Sequence, residues 1–118
     1  MPSRKTNPEF MTGVPELLIL RLLCKHEMYG YELVQAIQTS TGSAITLGEG
    51  VVYPILHALK ERGCLKSKRK PVNGRTRVYY AATRKGAVRL KEMTIEWQRV
   101  SSVVANVLEG KSRAAAGA

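Results

Sequence analysis

The chain has 118 residues, 44% of them hydrophobic, which suits one compact domain with an appended element and is short for two independent domains. Its 19 lysines and arginines outnumber 9 acids, none of them aspartate, and the resulting net charge of +10 points towards a polyanionic partner. No apolar run approaches the ~18–20 residues of a membrane span, and no paired carboxylates, phosphate-binding glycine loop or nucleophile–base motif supports catalysis.

The N-terminal MPSRKTNPEF lacks the apolar segment and cleavage site of a signal peptide, so residues 1–11 read as a loose arm of a cytoplasmic protein. Thr12, Gly13 and Pro15 mark a helix start, and ELLILRLLCK (Glu16 to about Lys25) is a first helix, apolar nearly all round. Met28, Tyr29 and Gly30 are expected to form a short turn. YELVQAIQTSTG then gives a second helix with Leu33, Ala36 and Ile37 inward and Gly42 just past its end. SAITL is a short extended piece. The third helix is GEGVVYPILHALKERG, with Val52, Leu56 and Leu59 on its buried stripe and Gly63 as its stop. CLKSKRKP, VNGR and TRVYYAA read as two strands around an Asn73-Gly74 turn, since both turn residues tolerate positive φ. Thr83 caps a long fourth helix running to about Glu109, with Gly110 as its stop, and KSRAAAGA is a frayed tail.

The order is therefore mainly α with a two-stranded β-hairpin: a winged helix-turn-helix over residues 12–82, a long C-terminal dimerisation helix over 83–110, and a flexible tail over 111–118. The two cysteines, Cys24 and Cys64, lie beside leucines and read as buried, reduced thiols. Neither they nor His26 and His57 fall at metal-ligand spacing, so no metal or cofactor is expected.

Three constellations carry function. In the third helix the buried stripe leaves Glu49, Gly50, Val51, Tyr53, Pro54 and His57 towards the outer face of the N-terminal half, the part of a recognition helix that meets base edges. Gly50 permits close backbone approach, and Pro54 is read as removing an amide near the helix start. The alternative is that Gly50 and Pro54 only shape the turn into the helix. In the hairpin, Lys66, Lys68 and Lys70 alternate on one strand and Arg75 and Arg77 on the other, around Asn73 and Gly74, with Arg69 pointing the other way. From Lys60 to Lys91 twelve cations accompany a single acid, Glu61, a local balance that exceeds the net charge of the whole chain and leaves the rest close to neutral. Phosphate or minor-groove contact by this wing is favoured over the alternative of an edge hairpin protected by lysines.

In the fourth helix Leu90, Met93, Trp97, Val100, Val104 and Val107 form a heptad seam, and Ile95, Val103 and Leu108 widen the apolar surface. A partner chain is its expected cover, together with Leu17 and Leu18 of the first helix; packing back on that helix is the alternative, and both can hold. Trp97 is a packing anchor at such an interface, or one wall of a pocket for a planar ligand.

MYGYEL (Met28–Leu33), GEGVVYPILHALKERGCL (Gly48–Leu65), GRTRVYYAAT (Gly74–Thr83), Gly86 and Trp97 together resemble the PadR family of bacterial transcriptional regulators, in its small subtype with one C-terminal helix. The resemblance spans nearly everything from Pro8 to Gly110. It implies a homodimeric repressor of pseudo-palindromic double-stranded DNA operators, released in some members by a small aromatic or hydrophobic effector, with the tryptophan at Trp97 contributing to a central pocket in some. The rival readings are a basic dimeric adaptor or sensor acting through a protein partner, and a nonspecific nucleic-acid-binding protein.

Overall fold

A computed structural model describes residues 12–110; the N-terminal arm and C-terminal tail expected from the sequence lie outside them. The elements are α1 (Val14–Lys25), β1 (Met28–Tyr29), α2 (Gly30–Ser40), α3 (Glu49–Glu61), β2 (Leu65–Val72), β3 (Arg75–Ala82) and α4 (Arg84–Leu108). The fold is a winged helix-turn-helix with a long C-terminal helix.

The expected helices form where their patterns placed them, and their ends have local causes. Pro15 opens α1, where its missing amide costs nothing. At the start of α2 the amide of Tyr29 donates to the Glu32 carboxylate at 3.2 Å. After α2, Thr41 Oγ1 donates to the Ile37 carbonyl at 2.9 Å and accepts from the Ile45 amide at 3.1 Å, which turns the chain towards α3. Gly63, at φ +80°, ends α3.

Met28 and Tyr29 are not a turn. They form a short strand antiparallel to β3, with Met28 opposite Tyr80 and Tyr29 opposite Tyr79, so the sheet has three strands in the order β1-β3-β2. The β2–β3 hairpin closes at Val72 opposite Arg75. Asn73 and Gly74 both take positive φ, +50° and +78°, as a two-residue turn matching the strand twist demands.

Ile19, Leu20, Leu33, Ile37, Val52, Leu56 and Leu59 fill the centre of the three-helix head, closed on the sheet side by Leu65 and Tyr80. Cys64 joins this core, but Cys24 is exposed on α1, contrary to the expectation that both thiols are buried. Ile19, Leu20 and Leu23 face the core, and Cys24 shares the exposed side of α1 with Arg21 and Lys25. Partial burial still pushes its thiol up, only partly offset by Arg21, so it is not a thiolate nucleophile at neutral pH.

Thr83 joins the head to α4. Its amide donates to the Cys64 carbonyl at 3.0 Å, its hydroxyl donates to the Gly63 carbonyl at 2.6 Å, and the same oxygen accepts from the Gly86 amide at 3.2 Å. Gly86 lies so close to this junction that a β-carbon there would sit 2.2 Å from the Cys64 carbonyl oxygen. The first turns of α4 then lie on α1: Arg89 pairs with Glu16, whose hydrogen bond holds the guanidinium above its ordinary pKa.

Candidate nucleic-acid interface

The outer face of α3 is open at its N-terminal end. Glu49, Gly50, Val51, Pro54 and His57 are all exposed, while Val52, Leu56 and Leu59 are buried against the head. Pro54 lies at the sixth residue of the helix, not at its start. The donor it lacks would have bonded the carbonyl of Gly50, so α3 forgoes one main-chain hydrogen bond in its N-terminal half. Open space surrounds Gly50: a β-carbon there meets nothing within 4 Å.

Tyr53 departs from its expected outward place. Its ring is half-buried against the start of α2, and a β-carbon on Gly30 would lie 2.3 Å from its hydroxyl oxygen. Gly30 is thus the recess that receives Tyr53, and only part of the ring reaches the outer face, next to His57 at 6.2 Å between centroids.

The hairpin register sets Lys70 opposite Arg77, Lys68 opposite Tyr79 and Lys66 opposite Ala81. The alternating cations of both strands therefore share the sheet's outer face, and Arg69 projects from the other. Exposure divides them further. Lys66, Arg69 and Arg75 are exposed and make no ion pair among the described residues. Lys68 and Lys70 both approach the Glu27 carboxylate, Lys68 at 3.6 Å. Lys70 also lies 4.7 Å from the centroid of Tyr79, and Arg77 the same distance from that of Tyr29. The Arg77 Nε is buried without a partner among the described residues.

Sequence reasoning missed Glu27, Tyr29 and Tyr79 as members of this surface. Their juxtaposition depends on the β1–β3 pairing, which joins residues fifty positions apart. The Tyr29 and Tyr79 rings meet edge to face at 5.3 Å.

The seam of α4 is divided in two. Leu90 and Met93 pack against the chain's own core, as does Leu18, while Leu17 is half-buried. Beyond them Trp97 (50% exposed), Val100, Val104 and Val107 (70%) stand open on one side of the helix. Trp97, Val100, Met93, Glu96 and Leu17 line a shallow apolar groove of ≈ 310 Å³ between α4 and the start of α1. Among the described residues no cluster of histidine, cysteine and acidic side chains can hold a metal ion, and no helix is long and apolar enough to cross a membrane.

Comparison with known proteins agrees with this geometry. Residues 19–92 match the family model described as the transcriptional regulator PadR-like family. A transcriptional regulator of Mycobacterium tuberculosis is 31% identical over 107 residues, covering 91% of this chain and 94% of its own length. A transcriptional regulator of Escherichia coli is 35% identical over 83 residues, 70% of this chain but 39% of that longer protein. The crystal structure of a PadR family transcriptional regulator from Eggerthella lenta superposes with a TM-score of 0.78 at 28% identity, covering 86% of this chain and 87% of that one.

Proposed function

The chain belongs to the PadR-like family of transcriptional regulators, and from that premise we propose that it is a homodimeric repressor that occupies a pseudo-palindromic operator. One observation carries the reading: the exposed N-terminal face of α3 stands beside a wing whose tip bears unpaired cations. In this reading residues 12–82 are the DNA-binding head and 83–110 the dimerisation helix. The N-terminal half of α3 enters the major groove, with Val51, Pro54 and His57 nearest the base edges and Tyr53 at their margin. Glu49 accepts from exocyclic amines. Arg69, Asn73, Gly74 and Arg75 bring the wing to phosphates or the adjacent minor groove, and Lys68, Lys70 and Arg77 support them from the outer face.

Repression needs only occupancy of the operator, and a two-fold dimer reads an inverted repeat. The open apolar half of α4, Trp97 to Val107, is the surface a second copy covers, with Leu17 beside it. The groove beside Trp97 suits a small planar hydrophobic effector, with Glu96 as its polar edge. Such a protein works on the chromosome in the cytoplasm.

Selection of random duplexes by the full chain tests the proposal. An enriched inverted repeat with half-sites ~34 Å apart, or a multiple of that, is expected. Uniform retention of all sequences would instead mark a nonspecific nucleic-acid binder, and no retention an adaptor for a protein partner.

A further inference from the structure

Glu27 lies immediately before β1 and is the only acid among the described residues that forms ion pairs with the lysines of the wing. Its two carboxylate oxygens are divided between two lysines of β2: one pairs with Lys70 Nζ, the other lies 3.6 Å from Lys68 Nζ. Lys70 is steadied in this place by the Tyr79 ring, which meets Tyr29, whose own ring carries Arg77. A carboxylate held between two ammonium groups sits in the charge environment that a DNA phosphate would take.

We infer that Glu27 is an internal competitor of DNA phosphate, which sets the affinity of the wing by withholding Lys68 and Lys70 from the duplex. The inference rests on the wing-to-DNA reading above. The pair is accessible to solvent, with side-chain exposures of 63% for Lys68, 36% for Lys70 and 32% for Glu27, so it opens at small cost when a phosphate arrives. That cost falls on every encounter with DNA. Operator and random sequence bear it alike, so Glu27 leaves the ratio of the two affinities unchanged and lowers the hold of a chain with +10 charge on any duplex.

A double-mutant cycle on the full chain tests this, with fluorescence anisotropy on a random-sequence duplex. Glu27→Gln keeps the shape and removes the charge, and thermal melting checks that each variant is folded. Glu27→Gln is expected to bind about two- to fivefold more tightly at ~0.1 M salt. The gain should vanish in a background carrying Lys68→Met and Lys70→Met. A gain of the same size in that background would reflect net charge alone and overturn the inference. So would weaker binding by Glu27→Gln, which would make Glu27 a strut of the wing. If the two lysine changes by themselves leave affinity unaltered, the wing reading has failed for these positions; if they weaken binding while Glu27→Gln brings no gain, only the role of Glu27 has.

Discussion

Gly50 and Gly86 respond to the same substitution in opposite ways. At Gly50 a methyl group has open space and the helix propensity of alanine is better by ~1 kcal/mol, so Gly50→Ala should raise the melting temperature. It should also weaken operator binding, because in the proposed complex the methyl stands on the face that approaches the bases. A more stable variant with unchanged affinity in anisotropy titration would return Gly50 to the role of a mere entry turn. At Gly86 the added carbon collides with a main-chain carbonyl, and Gly86→Ala should lower stability by about 1–3 kcal/mol in chemical denaturation. The sequence made the helix breakers in α3 conspicuous but not the reason for each. That Gly30 serves Tyr53 follows from a contact between α2 and α3 that no local pattern encodes.

The wing was legible because its signals are local. Period-two cations fixed the faces, and Asn73-Gly74 fixed the turn. β1 was not, since two residues contain no alternation to read and their partner strand is distant in sequence. Without β1 the outer face looked uniformly basic. With it, Lys70 and Arg77 stack on tyrosines, and Arg69 and Arg75 are the cations left to the tip. Removing both as Arg69→Ala plus Arg75→Ala should weaken binding to all sequences alike. The slope of log K against log salt should flatten by about 2, given ~0.9 per phosphate contact. An unchanged slope would remove the tip from the interface.

The described molecule is long and thin, 63 × 36 × 20 Å, because α4, 25 residues and so ~37 Å in length, leaves the head behind after its first turns. The heptad pattern read α4 as one continuous seam. In the structure its start is used within the chain, through Leu90, Met93 and Arg89, and its remainder is left open by the described residues. A periodic apolar stripe announces that a face is buried, not by which chain. Introducing charge as Val100→Glu with Val104→Glu should give monomers by analytical ultracentrifugation and abolish tight operator binding while the head stays folded. A persistent dimer would mean that a different surface joins the subunits.

The Thr83 junction has a consequence for geometry on DNA. Two hydrogen bonds from Thr83 to the main chain just after α3, the cap bond from Gly86 and the close approach of Gly86 to the Cys64 carbonyl fix the start of α4 on the end of α3. In the proposed dimer the two heads are then the jaws of a fixed caliper. One extra base pair between half-sites turns one of them by about 34–36° about the duplex axis, and a caliper without a hinge cannot follow. The spacing of the operator would thus be measured by a threonine that never touches it.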